Sequence, residues 1–142
     1  STLAGTGVQG YQDGEGTVSQ FNKPRGLAVD GDGNVIVADA QNHRIRQITP
    51  QGHVITLAGT GDVGHQDGDR VTTAQFSRPS GITVDEKGNV LVSDTSCIRC
   101  VASDVVTPLG LPPLPPSSFA SDIQRYLIDS SSFQDVCFVV EQ

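Results

Sequence analysis

Two thiols stand three residues apart in Cys97-Ile98-Arg99-Cys100, a spacing used by zinc sites and redox pairs. Zinc held this way needs a second pair of ligands. The third cysteine, Cys137, and the histidines His43, His53 and His65 lie far off in sequence. A redox pair opens a helix after a strand, whereas this segment reads as a strand. There, residues i and i+3 face opposite sides. The pair is therefore expected to be two packed thiols. Gly5-Thr6-Gly7-Val8-Gln9-Gly10 and Gly59-Thr60-Gly61-Asp62-Val63-Gly64 match GxGxxG. Dinucleotide binding also needs a helix whose N-terminus meets the pyrophosphate. The residues after each match are Gly- and Asp-rich and lack helical period, so both are expected to be loops.

Asp30-Gly31-Asp32-Gly33-Asn34 imitates the start of a calcium loop. The twelfth position is Gln41 where a bidentate Glu is needed, and strands flank it. Its second copy, Asp85-Glu86-Lys87-Gly88-Asn89, carries a lysine where a neighbour of the ion would stand. A hairpin turn accounts for both. Arg44 and Arg46 flank Ile45 and point away from its face; with Lys23 and Arg25 they form the basic cluster. Residues 1–105 nevertheless hold 8 basic and 12 acidic side chains, so solvated or ion-paired arginines are expected rather than a phosphate track. The three histidines have no carboxylate at catalytic spacing, and no Gly-x-Ser-x-Gly or paired-acid arrangement occurs. No cofactor is implied.

The whole chain carries a formal charge of −7, which disfavours nucleic acid as a partner. No run of 18 apolar residues exists to span a membrane as a helix. The three cysteines are an odd number, and Asn22, Asn34, Asn42 and Asn89 all fail the glycosylation sequon. Both features predict a cytoplasmic or nuclear setting. Methionine is absent, which predicts that Ser1 is an internal residue.

The elements that must position these side chains emerge from a repeat. Thr2-Leu3-Ala4-Gly5-Thr6-Gly7 recurs as Thr56-Leu57-Ala58-Gly59-Thr60-Gly61, an offset of 54. The offset becomes 55 for Phe21 and Phe76, Pro24 and Pro79, Asp39 and Asp94. It falls to 53 at Ile45-Arg46 and Ile98-Arg99, and to 51 where Val54-Ile55-Thr56 meets Val105-Val106-Thr107. Within a unit, short strands are predicted at 26–30, 35–38, 44–48 and 54–57, separated by Gly, Asn, Asp and Pro turns. Repeated four-stranded antiparallel meanders of this length predict propeller blades. The fold class is all-β: two blades, preceded by an orphan strand at 2–4 from a blade before them.

Phe21-Asn22-Lys23-Pro24-Arg25-Gly26-Leu27-Ala28-Val29-Asp30, Gly33 to Asp39 and Asn42-His43-Arg44-Ile45-Arg46 resemble the NHL repeat. The resemblance covers about residues 1–110. The second unit departs from it, with Thr95-Ser96-Cys97 where the Asn-His-Arg segment should stand. Its outer strand carries Pro108, tolerable only on an edge, as in a terminal blade.

Residues 1–106 are thus expected to be a partial propeller and 107–118, with five prolines and no charge, a semi-rigid linker. In 119–142, Phe119, Ile123, Tyr126 and Leu127 fall on one helical face, and Val136-Cys137-Phe138-Val139-Val140 reads as a buried strand. This helix with Phe133 to Glu141 resembles the opening of a BTB/POZ domain. The two resemblances together imply a non-enzymatic recognition scaffold. The propeller would take a protein partner through Lys23, Arg25, Arg44 and Arg46. The BTB part would dimerise through Phe119, Ile123, Tyr126 and Leu127 and, completed, serve as an adaptor for a cullin ubiquitin ligase. The family also leaves open an RNA-binding propeller and a metal-dependent propeller enzyme, for which Asp39 and Asp94 would be the ligands.

Overall fold

The computed structural model of the chain describes residues 1–102 and the backbone of 136–139. Strand β1 (Gly14–Glu15) is followed by β2 (Pro24–Val29), β3 (Val35–Asp39), a 3-10 turn η1 (Ala40–Asn42), β4 (Arg44–Ile48) and β5 (His53–Ala58). Then come β6 (Pro79–Val84), β7 (Val90–Asp94), β8 (Cys97–Val101) and β9 (Val136–Val139). Strands β2 to β5 form the first antiparallel blade; β1 adds to the outer edge of β5, giving the order β1-β5-β4-β3-β2. The second sheet runs β6-β7-β8-β9.

The tight turns have a local cause repeated in both blades. Asp30 Oδ1 accepts the Asp32 and Asn34 amides at 3.0 and 2.9 Å, and Asn34 Nδ2 donates to Asp30 Oδ2 at 2.8 Å. Asp85 does the same for Lys87 and Asn89, at 2.9, 2.8 and 2.8 Å. Gly33 and Gly88 complete the turns at φ 83 and 85, a conformation that costs glycine little. These aspartates are therefore hairpin residues in the structure, as their sequence suggested.

The first blade is apolar on two faces. Ile36, Ala38, Ile45 and Ala58 of the first pack against Ala74, Phe76, Val90, Val92 and Val101 of the second in one buried cluster, with Ile82 and Val84 at its margin. The backbones of β2 and β6 come so close that a Cβ on Gly26 would stand 2.1 Å from the Ser80 carbonyl oxygen. On the other face of the first blade, Val37, Ile48 and Val54 are buried under Phe21 and Ala4. Leu27 and Val29 on that same face remain 65% and 61% exposed.

Two expectations are modified. Thr2 to Ala4, the counterparts of Thr56 to Ala58 of β5, form no ladder, because among the described residues no strand stands beside them as β4 stands beside β5. The edge of β8, expected to carry an antiparallel outer strand, is paired in parallel by β9, Ile98 with Val136 through Val101 with Val139. An open β8 edge is a row of unpaired amides and carbonyls, which β9 satisfies. Residues 105–107, the linker and the 119–129 helix with Phe119, Ile123, Tyr126 and Leu127 lie outside the described residues.

Candidate functional site

Each blade closes one end of its strands over a buried arginine. Arg46, on β4, is fully buried. Its Nε and Nη2 donate to Asp13 Oδ1 at 3.0 and 2.6 Å, and Nη1 donates to Asp39 Oδ2 at 2.8 Å. The Gln20 and Gln12 carbonyls accept from Nη1 and Nη2 at 3.0 and 2.8 Å. The guanidinium stacks 4.9 Å from both the Phe21 and Tyr11 rings. All five of its donors are used, as a buried charge requires. Strand alternation puts Arg46 on the face opposite Ile45; that face is roofed by residues 11–21, so Arg46 is ion-paired and inaccessible.

Arg99 repeats the arrangement in the second blade. It donates to the Gln75 and Gln66 carbonyls at 2.7 and 3.0 Å and to Asp67 at 2.7 Å, beside the Phe76 ring. Its contact to Asp94 has lengthened to 3.4 Å, and its Nε has no partner. Asp39 and Asp94, the residues a propeller metal would need, are each held by their own blade. Asp39 Oδ1 accepts the Asn22 amide and Oδ2 the Asn42 side chain, at 2.8 and 2.7 Å. Asp94 Oδ1 accepts the Ser77 amide at 2.8 Å. Burial pushes the Asp94 carboxyl above its ordinary pKa, against the pull of the Ser77 amide, Arg99 and His65.

The rest of the basic cluster is accessible. Lys23 and Arg25 are exposed at the start of β2. The counterpart of Lys23 is Arg78, also exposed, and both adopt left-handed backbone at φ 51 and 59. The Arg78 amide donates to His43 Nδ1 at 3.1 Å, tying the two blades together at this end. Arg44 is half-buried; it lies 3.8 Å over the Tyr11 ring and donates to the Thr60 carbonyl at 2.6 Å. Lys23, Arg25, Arg44 and Arg78 thus share one end of the strands, with Asp62 in the adjoining loop. The hairpin turns at the opposite end hold Asp30, Asp32, Asp85 and Glu86, together with Lys87. Arg78 does not stand out in the sequence as part of the cluster. The offset of 55 that matches Pro24 with Pro79 also matches Lys23 with Arg78, and is the signal that could have found it.

The remaining motifs resolve into local structure. Both GxGxxG segments are loops leading into a blade, the second of them between the two blades, and their amides are spent internally: Gly5, Thr6 and Gly10 on the carbonyls of Gly16, Ser19 and Phe21, and Gly59, Thr60 and Gly64 on those of Arg70, Ala74 and Phe76. Cys97 is buried and Cys100 half-buried on alternate faces of β8, so they do not form one two-thiol site. His65, however, is brought to Cys97 across 32 residues, a proximity sequence spacing did not show. Among the described residues no helix is long and apolar enough to cross a membrane.

The NHL repeat matches residues 21–48 and 76–101. The chain is 39% identical over 88 residues to protein SUPPRESSOR OF QUENCHING 1, chloroplastic, of Arabidopsis thaliana, covering 61% of this chain and 8% of that protein. It is 34% identical over 101 residues to human NHL repeat-containing protein 2, covering 69% and 14%. The chain therefore spans less than a sixth of these relatives' length. Among solved structures, an auxiliary nutrient binding protein from Bacteroides thetaiotaomicron aligns with a TM-score of 0.58 and 31% identity, over 65% of this chain and 25% of that one. A second chain from that bacterium, named for a phosphatase activity, aligns with a TM-score of 0.57 and 29% identity, over 64% and 23%. With the repeated buried arginines, the shared inter-blade core and these matches in agreement, the chain carries two NHL repeats folded as consecutive blades of a partial β-propeller.

Proposed function

We propose that this chain is part of a non-enzymatic recognition propeller whose basic end receives an acidic segment of a protein partner. The observation that carries this reading is the uneven charge along the strands: Lys23, Arg25, Arg44 and Arg78 against Asp62 at one end, Asp30, Asp32, Asp85 and Glu86 against Arg70 and Lys87 at the other. Such a field orients an anionic partner and rejects it at the wrong end. Arg46 supports the surface from beneath, since it holds Asp13 and Asp39 and cannot reach a partner. RNA is the less favoured ligand, because the four cations stand on a net-acidic body.

Residues 119–142 add, in this proposal, the opening of a BTB domain that dimerises and serves a cullin ligase as adaptor. The support for that part is the sequence resemblance of Phe133 to Glu141.

Charge reversal in the intact protein tests the basic end. Arg25→Glu with Arg78→Glu should abolish cross-linking of acidic partner peptides there while leaving the melting temperature unchanged. Undiminished cross-linking would overturn the reading. So would RNA capture that falls steeply with salt and is lost in the same variant.

A further inference from the structure

We propose that His65, Asp94 and Cys97 form a binding site for a thiophilic divalent cation of the Zn²⁺ class, created where the second blade departs from the first. One ligand atom from each lies within 4.8 Å of the other two. His65 Nδ1 is 3.6 Å from Asp94 Oδ2 and 3.9 Å from Cys97 Sγ. Zinc bonds of about 2.0–2.1 Å to nitrogen and oxygen and 2.3 Å to sulfur put tetrahedral neighbours roughly 3.4–3.6 Å apart. The two distances at His65 already stand within a few tenths of an ångström of those separations.

The two blades show how the site arises. At the offset of 54, His65 takes the place of Tyr11. In the strand register Cys97 pairs with Asp94 as Arg44 pairs with Asp39, so Cys97 takes the place of Arg44. In the first blade Tyr11 and Arg44 stack at 3.8 Å, and Asp39 Oδ2 is held by both Asn42 and Arg46. In the second blade the corner is two residues shorter, and the asparagine that would hold Asp94 is gone. The arginine contact has lengthened from 2.8 to 3.4 Å. The same exchanges that remove a cation–π pair and an amide partner bring in an imidazole and a sulfur.

The geometry separates this site from a nucleophilic triad. A triad needs the acid on one imidazole nitrogen and the thiol on the other. Here the carboxylate and the sulfur both face Nδ1, which is what a shared metal requires. Binding would release the Cys97 thiol proton to solvent and leave the Nε2 proton in place. Thiolate and carboxylate would then neutralise the ion, with Arg99 as the remaining neighbouring charge. His65 is 46% exposed, so its side offers an entry path and room for a water as fourth ligand.

The test is titration of the reduced chain with Zn²⁺ by calorimetry and with Co²⁺ by absorption, reading the thiolate-to-metal band. One equivalent should bind and give that band. Cys97→Ser should weaken binding by at least about 10- to 100-fold, the scale on which even outer-shell changes act. Cys100→Ser should leave it intact. The double exchange His65→Tyr with Cys97→Arg restores the first blade's pair; it should abolish binding while the far-ultraviolet spectrum stays folded. No binding by the wild-type chain overturns the proposal. So does binding that survives Cys97→Ser or is lost in Cys100→Ser.

Discussion

Arg46 and Asp39, seven residues apart, meet at 2.8 Å with both side chains fully buried. Their counterparts Arg99 and Asp94 meet at 3.4 Å. A buried ion pair is costly to break because the survivor is left unpaired, about 3–5 kcal/mol. Arg46→Met would strand Asp39 and the Gln12 and Gln20 carbonyls, and should destabilise the chain by about that amount. Arg99→Met should cost less, since one donor is already without a partner and the Asp94 contact is long. Urea unfolding of the two variants checks the order; equal losses would refute it.

The inter-blade contact predicts a second effect. Adding a methyl at Gly26 would place it 2.1 Å from the Ser80 oxygen and 2.9 Å from Gly81 Cα, both backbone atoms. Overpacking against atoms that cannot swing aside costs about 1–3 kcal/mol. Gly26→Ala should therefore lower the melting temperature and loosen the two blades from each other. Gly31→Ala is the control, because nothing lies within 4 Å of a Cβ there. Parallel thermal melts decide it.

A third expectation concerns thiol chemistry. Burial, with the Asp85 carboxylate nearby, raises the Cys100 thiol above its ordinary pKa. The thiolate is the reactive form, so iodoacetamide near pH 8 should modify Cys100 slowly in the folded chain. Modification should quicken when Asp85→Asn removes the neighbouring charge; the variant keeps Oδ1 for the Lys87 and Asn89 amides and gives up the Oδ2 that accepts the Asn89 side chain. Peptide mapping after timed alkylation reads both rates; fast modification of Cys100 in the folded wild type would refute the expectation.

Acid stability gives a fourth. Asp69 accepts hydrogen bonds from the Thr72 amide and hydroxyl and the Val71 amide, which hold its pKa below the ordinary value. A carboxyl depressed in the folded state stabilises above its unfolded pKa, and the benefit disappears as pH falls through the folded one. Asp69→Asn should therefore flatten the acid limb of a stability profile below about pH 4. Profiles of identical slope would show that the turn contributes nothing there.

Much of the fold is legible because the chain repeats itself. The offsets place the strands of both blades and the two Asp-Asn turns, since each is a local pattern stated twice. Arg46 is harder. Alternation assigns a face but does not say what covers it, and the roof is a loop whose Asp13 lies 33 residues away. The contact between His65 and Cys97 is hidden for the same reason. It could be inferred only by knowing that Tyr11 touches Arg44, a contact between loop and strand that no spacing rule supplies.

The exposed Leu27 and Val29 lead to the last prediction. At the offset of 55 they correspond to Ile82 and Val84, which are partly buried against the inter-blade core. Val37, beside Leu27 in the ladder, corresponds likewise to buried Val92. The outward face of the first blade, open at Leu27 and Val29, is thus the same surface that the second blade presents to the first. Its cover in the second blade is the face bearing Ile36, Ala38 and Ile45. The corresponding face of the second blade carries Leu91, Ser93 and Ile98, with Ile98 47% exposed. One copy of this chain therefore offers a surface that fits the opposite surface of another, head to tail. Such heterologous contacts continue unless the rotation closes a ring. The 142-residue chain alone should accordingly sediment as a concentration-dependent series of oligomers. Leu27→Glu with Val29→Lys should shift the series to monomer while keeping the strand content. A monodisperse wild-type monomer with a sharp cooperative melt would refute this, and would mean that a single chain covers both blade faces by itself.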